Sequence, residues 1–500
     1  MFDFLGGTDP WVLVSLALAL LFTLSFEFIN GFHDTANAVA TVIYTKTMSP
    51  YRAVMLSGTF NFLGVLFGGV GVAYAIVHLL PVELLINVDT GARGLVMVFS
   101  LLTAAISWNL GTWFFGIPAS SSHTLIGAVL GVGLANASLN HLPVADSINW
   151  QKAIDIGLSL VFSPVMGFVL AGIILLGLKR WRPLGRMHRA PEMRVELKNK
   201  KHPPFWNRLV LVLSAMAVSF VHGSNDGQKG IGLIMLVLIC FLPAQFVLNQ
   251  GSSAYQIEST REAAHYLKQL YEKHQDNLLR QAPPAPVEDK ATDAPAAPTR
   301  ASATPYRCEV VHTPATIQRL LTNLDGVHDY TMLADHKRLE VRRDLLCLDE
   351  VAKQTSKLST LAAREKSDLN RLRKDLTATT EYAPVWVTLA IALALGLGTM
   401  VGWRRVVETV GERIGKQGMT YAQGMSAQIT AAIAIGAANL YSLPVSTTHI
   451  LSSGVAGTMV ANRSGLHGNT LKNILLAWIL TFPISMLLAA GIFWVAAQFL

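Results

Sequence analysis

Two short polar stretches interrupt apolar segments, and each carries a carboxylate. They are GFHDTANAVAT around Asp34 and HGSNDGQKGIG around Asp226. Aligning the two aspartates also superposes Asn37 on Lys229. Ionisable groups at membrane depth are costly and usually functional. The pair therefore predicts a site near the bilayer centre where Asp34 and Asp226, helped by Asn37, bind coupling cations or protons. Simple helix capping is the alternative.

Glycines in both stretches predict unwound backbone there, because glycine tolerates conformations that other residues avoid. Lys229 departs from its counterpart Asn37. Its ammonium can stand beside an anion, replace a bound metal cation or pair with Asp226, and the sequence leaves these interpretations open. The motifs also carry histidines, namely His33, His123, His222 and His449. An imidazole titrates near neutrality as a proton carrier requires, although packing is an equally good role for each of them. The candidates for cation or proton coupling are Asp34, Asp226, Asn225, Glu27 and His33.

A second repeated motif joins a proline to three hydroxyl residues. It occurs as PASSSH from Pro118 and as PVSTTH from Pro444. Proline ends the preceding segment and hydroxyls cap free N–H groups, so each copy predicts a helix start. A helix N-terminus is a natural oxyanion site, and duplication favours anion binding over capping alone. The predicted substrate contacts are Ser120, Ser121, Ser122, Ser446, Thr447 and Thr448, with Asn37 and Lys229.

The composition indicates a polytopic membrane protein. Hydrophobic residues make up 51% of the chain and charged residues only 14%, values that are rare in soluble proteins. The net charge of +8 does not indicate a nucleic-acid partner, because ten Lys or Arg lie in the short loop 179–208 between apolar spans. Such a loop is typical of the cytoplasmic side. The N-terminus lacks a basic start, so we expect a retained first helix rather than a cleaved signal.

Apolar stretches near the roughly 20-residue length that a bilayer requires predict ten crossings in an all-α fold. They are 11–48, 52–80, 94–117, 118–136, 153–178, 207–249, 383–403, 420–440, 444–461 and 471–498. Counting from the cytoplasmic loop places the N-terminus and the segment 250–382 outside. Five crossings in each half reverse the entry side of the second half. We therefore predict two inverted-topology repeats with broken helices, as in many secondary transporters.

A polar insert, 250–382, divides the second repeat. The two copies of the hydroxyl motif lie farther apart in sequence than the two aspartate motifs, by almost the length of the insert, so its removal equalises the motif spacing of the two halves. The insert shows helical apolar spacing on both sides of a Pro/Ala linker, 282–305. It holds Cys308 and Cys347, for which a disulfide and two free thiols are both compatible with the sequence. The predicted domains are 1–206, 207–249, 250–382 and 383–500.

The motifs resemble those of a known family. HDTANA and NDGQKG are similar to the duplicated G-x-N-D-x-x-N signature of the inorganic phosphate transporter (PiT) family, and the second repeat, with PASSSHTLIGA, completes the pattern. The resemblance covers the chain outside the insert, and the insert itself resembles the bacterial branch. The family resemblance implies a carrier that moves inorganic phosphate across a bacterial inner membrane by alternating access. It also implies phosphate contacts at the hydroxyl triplets and cation coupling at Asp34, Asn37 and Asp226.

Two departures bear on the coupling ion. His33 and Lys229 stand where the signature has asparagines, so a sodium site would be incomplete and proton coupling is favoured. The resemblance further implies phosphate carried as a neutral complex with a divalent metal, although we assign no metal ligand and no cofactor. Phosphate and membrane lipid are the expected partners, and the sequence does not decide whether the protein forms a homodimer.

Other functions are compatible with single features. Ser122 beside His123 suggests an intramembrane hydrolase, but neighbouring helical residues point about 100° apart and no G-x-S-x-G elbow is present. A sodium-coupled symporter, or a carrier of another tetrahedral oxyanion such as sulfate, fits the same motifs. A receptor that senses through the insert has no need of two anion sites. We expect a transporter, and no enzyme.

Overall fold

The computed structural model describes residues 9–80, 91–140, 143–144, 148–181, 186–192, 195, 204–281, 308 and 310–499. Within these ranges the regular structure is helical, apart from an isolated antiparallel bridge between Gly415 and Leu466. The all-α prediction is therefore confirmed. The predicted linker 282–305 lies outside the described residues, as does much of the basic loop 179–208.

The helices of the first half precede the insert in order. They are α1 (Pro10–Asp34), α2 (Ala36–Tyr44), α3 (Pro50–Phe67), α4 (Gly71–Val77), α5 (Gly91–Phe114), α6 (Ser121–Leu139) and α7 (Trp150–Trp181), followed by a 3-10 turn at Arg186–His188. The long helix α8 (Phe205–Phe241) then opens the second half. Apolar side chains such as Val161 and Phe162 are exposed on α7, as expected of a surface that faces lipid rather than water.

The rest of the second half follows the insert. It consists of α14 (Val385–Met400), α15 (Arg404–Glu408), a π-helical turn (Thr409–Arg413), α16 (Tyr421–Leu440), α17 (Thr447–Ala461) and α18 (Gly468–Ala496), which ends in a 3-10 turn at Ala497–Phe499. Together with Met1–Phe241, this segment forms one compact unit, and Leu242–Tyr382 forms another.

Six of the described helices are long and apolar enough to cross a membrane, and eight spans result if each of two bent pairs counts as one. The bent pairs are α3 with α4, at 76°, and α14 with the segment Arg404–Arg413, at 58°. A glycine with positive φ lies at each bend, Gly69 and Gly402. The prediction of ten crossings is not confirmed, because α17, with 15 residues, is too short for a span and α16, with 20, is not apolar enough.

The predicted unwinding at the aspartate motifs is wrong for the second copy. Helix α8 runs through Asp226 without interruption. In the first copy, α1 ends at Asp34 and α2 begins at Ala36, but Thr35 between them keeps helical angles (φ −52°, ψ −35°). The glycines allow close helix contact instead. A Cβ on Gly223 would lie 2.2 Å from the carbonyl oxygen of Asn61, and one on Gly31 would lie 2.4 Å from that of Leu395.

Several helices of each half pack mainly on a helix of the other half. Helix α6 of the first half packs mainly on α18 of the second, while α17 of the second packs mainly on α7 of the first. In the same way α1 packs on α14, and α8 packs on α3. Glycines at matching positions make both close contacts, since a Cβ on Gly131 would meet the Met486 carbonyl oxygen and one on Gly457 that of Phe168. This reciprocity is the pattern that an internal repeat produces, whereas the inverted orientation stays a prediction.

The insert unit begins before the predicted boundary at residue 250. Its helices are α9 (Pro243–Phe246), α10 (Ala254–Gln281), α11 (Thr313–Asn323), α12 (Asp335–Ser356) and α13 (Ala363–Thr377), with 3-10 turns at Val310–His312 and Tyr330–Met332. Two arginines of α12 hold both ends of the unit. Arg338 donates to the carbonyl oxygen of Ala244 at 2.9 Å, and Arg342 donates to those of Val247 and Thr380 at 2.7 and 3.2 Å.

Cys308 and Cys347 form a disulfide, which resolves the alternative that the sequence left open. The bridge spans 39 residues, and the chain-entropy model gives a loop of this length about 4 kcal/mol of stabilisation. We expect the Cys308→Ala/Cys347→Ala variant of the full chain to exchange the amide protons of α12 faster than the wild type. Cys240→Ala, a change outside the insert, should leave that exchange unaltered. Equal protection in the bridge variant would contradict a stabilising role.

Candidate functional site

Two helix N-termini are built alike, one in each half. Gly116 and Ser442 both adopt positive φ, of 65° and 54°, and turn the chain toward the starts of α6 and α17. Ser120 then caps α6 by accepting from the His123 N–H at 3.2 Å, and Ser446 caps α17 by accepting from His449 at 3.2 Å. The cap serines satisfy helix N–H groups, so the side chains that remain for other partners are the hydroxyls of the next two residues in each triplet.

Asp34, at the end of α1, reaches both helix N-termini. Its Oδ1 accepts from the Thr448 hydroxyl at 2.6 Å, and its Oδ2 lies 3.4 Å from the Ser121 hydroxyl. The Nδ1 atom of His33 lies 3.4 Å from Oδ1, and its Nε2 lies 3.2 Å from the Thr112 hydroxyl. Asp34 is 2% exposed, so these partners rather than water surround its charge.

Asp226, in the middle of α8, shares the Ser121 hydroxyl with Asp34. Its Oδ2 lies 3.3 Å from Ser121 Oγ, and the Asn30 amide lies 3.5 Å from the same oxygen. Its Oδ1 accepts from the Lys229 ammonium at 2.6 Å. A serine has one proton to donate, so Ser121 can hydrogen-bond only one of the two carboxylates at a time. The two aspartates therefore belong to one cluster.

His222 stands between the two carboxylates. Its Nδ1 lies 3.0 Å from Asn61 Oδ1, while Asn61 donates its own amide to the Thr399 hydroxyl at 2.8 Å. Nδ1 must therefore carry a proton, which leaves Nε2 to face the cluster. Nε2 lies 3.6 Å from an oxygen of Asp34 and 3.6 Å from one of Asp226, and makes no hydrogen bond to any residue that the structure describes.

The ligand atoms of Asp34, His222 and Asp226 lie within 4.8 Å of one another, and all three residues are buried. Two ionised carboxylates this close repel each other strongly in a site away from water. A proton or a bound cation between them removes that repulsion. Oxygen and imidazole ligands also suit a divalent metal ion. The unpartnered Nε2 of His222 points to such an occupant.

Asn37 and Lys229 contact the opposite helix N-termini. The Asn37 amide lies 3.3 Å from the Thr447 hydroxyl and 3.1 Å from that of Thr448. The Lys229 ammonium lies 2.5 Å from the Ser122 hydroxyl, and Ser122 in turn donates to the Val445 carbonyl oxygen. Both hydroxyl triplets thus meet the aspartate motifs, and each motif contacts the triplet of the other half.

Two predicted residues lie at the edge of this cluster or outside it. The Asn225 amide donates to the side-chain oxygen of Asn439 at 2.6 Å and to the Leu443 carbonyl oxygen at 3.2 Å, and so holds the segment before α17. Its described bonds reach neither carboxylate. Glu27 is fully buried and connects to the cluster through Asn30, whose amide lies 3.4 Å from Glu27 Oε2. The other oxygen of Glu27 has no hydrogen-bond partner among the described residues.

Asn30 and His222 were not among the predicted site residues, although His222 was one of the motif histidines considered for proton transfer or packing, yet both face the cluster. They occupy the same position in the two motifs, four residues before each aspartate. Residues four apart on a helix share a face, so this spacing is the signal that could have identified them. Asn61, on α3, orients His222, and no motif marked it.

The imidazole rings of His123 and His449 pack against each other, tilted by 35°. Their ring centroids are 4.6 Å apart, and His449 also stacks on Trp478 at 4.0 Å. Ser122, whose hydroxyl donates to Val445, makes no bond to His123 in the described part of the chain. The arrangement lacks the serine–imidazole contact that a hydrolase requires.

Comparison with known proteins identifies the family of this chain. The sequence profile of the phosphate transporter family matches residues 30–489. Two low-affinity inorganic phosphate transporters of Escherichia coli strain K12, PitB and PitA, are each 49% identical to this chain, and the alignments cover all of this chain and of both relatives. A probable low-affinity inorganic phosphate transporter of Bacillus subtilis strain 168 is 27% identical over 96% of each chain.

A solved structure of a sodium-dependent phosphate transporter has a similar fold. It aligns with 97% of this chain and all of its own, with a TM-score of 0.52 and 19% identity, and this likeness concerns the fold alone. The relatives are transporters, so the hydrolase interpretation falls and the chain is not an enzyme. The long sequence match, the helical membrane architecture and the paired motifs lead to one conclusion: the chain belongs to the phosphate transporter family.

Proposed function

We propose that this protein imports inorganic phosphate with low affinity, by symport with protons, across a bacterial inner membrane. The observation that carries the proposal is the meeting of two helix N-termini with two buried carboxylates in one cluster. Ser121, at the first N-terminus, lies within 3.4 Å of both Asp34 and Asp226, and Thr448, at the second, donates to Asp34. The names of the full-length relatives support phosphate as the substrate.

In this proposal phosphate binds between α6 and α17. The start of each helix offers N–H groups and positive dipole to an anion, and the hydroxyls can donate to its oxygens. Asn37 and Lys229 add an amide and a fixed positive charge next to those hydroxyls. The proposed contacts are Ser120, Ser121, Ser122, Ser446, Thr447 and Thr448, with the two cap serines acting mainly through the helix ends that they stabilise.

Coupling follows from charge. Phosphate is an anion, and two nearby carboxylates oppose its entry unless a cation enters with it. A proton on the Asp34–His222–Asp226 cluster lowers that barrier, so each ligand makes binding of the other more favourable. Glu27 and Asn30 extend the cluster, and the unpartnered oxygen of Glu27 gives a second place for a proton in our proposal. A divalent metal on the same three residues would carry phosphate as a neutral complex, as cargo.

Orientation completes the proposal. With the basic loop 179–208 in the cytoplasm, the N-terminus and the insert lie outside. The site formed by the cluster and the two helix N-termini must then open alternately to the outside and to the cytoplasm. Two inverted repeats achieve this by moving against each other.

Uptake of radiolabelled phosphate into proteoliposomes tests the function. We expect an inward proton gradient to drive accumulation in the absence of sodium, and a protonophore to abolish it. Strict dependence on sodium would contradict proton coupling. Removal of divalent metals with a chelator distinguishes free phosphate from a metal complex, because only the complex loses its substrate. Excess sulfate should compete poorly, since it offers no proton to the carboxylates; equal competition would favour a general oxyanion carrier.

A further inference from the structure

The two aspartate motifs carry residues of different charge at one equivalent position. Asn37 follows Asp34 by three residues, and Lys229 follows Asp226 by three residues. Their contacts match across the repeat, because Asn37 reaches Thr448 and Lys229 reaches Ser122, which occupy the same position in the two copies of the hydroxyl motif. The site is therefore symmetrical in layout and asymmetrical in charge.

The asymmetry changes how each carboxylate meets its hydroxyl. In one half, Asp34 Oδ1 accepts directly from Thr448 at 2.6 Å. In the other, the Lys229 ammonium stands between Asp226 Oδ1, at 2.6 Å, and Ser122 Oγ, at 2.5 Å. A positive charge thus occupies the second half at the point where the first half has a direct hydrogen bond.

The environment of the ammonium resembles the coordination of a small hard cation. Lys229 is 1% exposed, and Asp226 is fully buried. Its three oxygen neighbours are a carboxylate, a hydroxyl and the Val445 carbonyl at 3.3 Å, one for each N–H of the ammonium. Oxygen ligands of these three types are the ones that hard cations take.

We propose that Lys229 is a tethered cation, which permanently fills the second of two repeat-related cation sites. The Asp226–Lys229 pair is then neutral throughout the transport cycle, and only the cluster of Asp34 with His222 needs a cation from solution. The inference rests on the proposed function for the identity of the anion. It adds that Lys229 sets the number of cations moved per phosphate to one fewer than a carrier with asparagine at both positions.

The test restores the symmetry of the repeat. Lys229→Asn gives both motifs an asparagine three residues after the aspartate. It leaves Asp226 as a buried carboxylate without its counter-charge. An added sodium ion should then bind among Asp226, Ser122 and the Val445 carbonyl. We expect sodium chloride, compared with choline chloride at equal ionic strength, to raise the thermal unfolding midpoint of the purified full-length Lys229→Asn protein by several degrees. The wild type should show no such sodium-specific shift.

A double variant is the matched control. Asp226→Asn/Lys229→Asn removes both charges, so it has no carboxylate in need of a cation and should lose the sodium response of the single variant. Lys229→Gln, which keeps more of the stem, should respond to sodium as Lys229→Asn does. The absence of a sodium-specific shift in both single variants would overturn the proposal. So would failure of both to fold in sodium, because a bound ion should replace the ammonium.

Transport gives a second measurement. In proteoliposomes with sodium, the charge moved per phosphate should be one unit larger for Lys229→Asn than for the wild type, and an unchanged ratio would contradict the tethered cation. Failure of the proposed function is seen separately, as absence of phosphate uptake by the wild type. The sodium-dependent unfolding shift does not depend on that result.

Discussion

Asp34→Asn is expected to abolish proton-driven phosphate accumulation. The substitution keeps the size of the side chain but removes the negative charge of the carboxylate. One carboxylate oxygen accepts from the Thr448 hydroxyl at 2.6 Å, and the other lies 3.4 Å from the Ser121 hydroxyl. Hydrogen bonds to a charged group contribute about 1.5 to 3 kcal/mol each. Weakening of two such bonds, together with loss of the group that we propose takes up the coupling ion, should lower the initial uptake rate by at least about 100-fold. Uptake into proteoliposomes at a fixed proton gradient measures the effect.

The matched control is Asp155→Asn, the same chemical change on α7. Asp155 accepts from the Gln151 side chain one turn away, at 3.1 Å, in an exposed pair. Exposed pairs contribute little, so uptake by this variant should equal that of the wild type. Full accumulation by Asp34→Asn, in protein that reconstitutes to the same level as the control, would show that Asp34 has a structural role only.

Gly223→Ala should have the second largest effect, on stability and transport together. A Cβ at this position would lie 2.2 Å from the carbonyl oxygen of Asn61 and 2.7 Å from its Cα. Backbone atoms cannot move aside as a flexible side chain can, so α8 and α3 must separate. Overpacking of this kind costs about 1 to 3 kcal/mol and sometimes more. The separation also pulls Asn61 from His222, whose Nδ1 it binds at 3.0 Å. We expect a lower thermal unfolding midpoint and reduced uptake.

Gly177→Ala makes the same change on α7, where the added Cβ would meet no atom within 4 Å in the described part of the chain apart from the neighbouring backbone of α7 itself. Alanine is the better helix former, so the unfolding midpoint should stay the same or rise slightly. If Gly223→Ala also unfolded at the wild-type temperature, the contact between α8 and α3 would be looser than the distances indicate.

The sequence predicted the parts of the site whose geometry is local. The starts of α6 and α17 follow from proline and hydroxyl residues in a fixed order, and Ser120 and Ser446 do cap these helices. The duplication of each motif indicated that the two aspartates and the two triplets would meet, because a repeat brings equivalent elements to equivalent places. The family resemblance agreed with the later comparisons.

Other parts depended on tertiary contacts that a pattern does not contain. Glycine permits both unwound backbone and close helix packing, and in α8 packing against Asn61 decides between them. Asn225 lies next to Asp226 in sequence, but its side chain turns toward Asn439, on a helix that follows the whole insert. The role of His222 likewise depends on which side chains α1 and α3 bring to it. These outcomes require knowledge of the neighbours, which come from the distant half of the chain.

The exchanged packing of α6 with α18 and of α17 with α7 has a consequence for biogenesis. During synthesis, α6 enters the membrane long before its main neighbour α18 exists, since α18 begins only at Gly468. The start of α6, where we propose that phosphate binds, therefore lacks its main packing partner until nearly the whole polypeptide has left the ribosome. We expect that neither half matures independently, and that a chain truncated before α18 is recognised by membrane quality-control proteases.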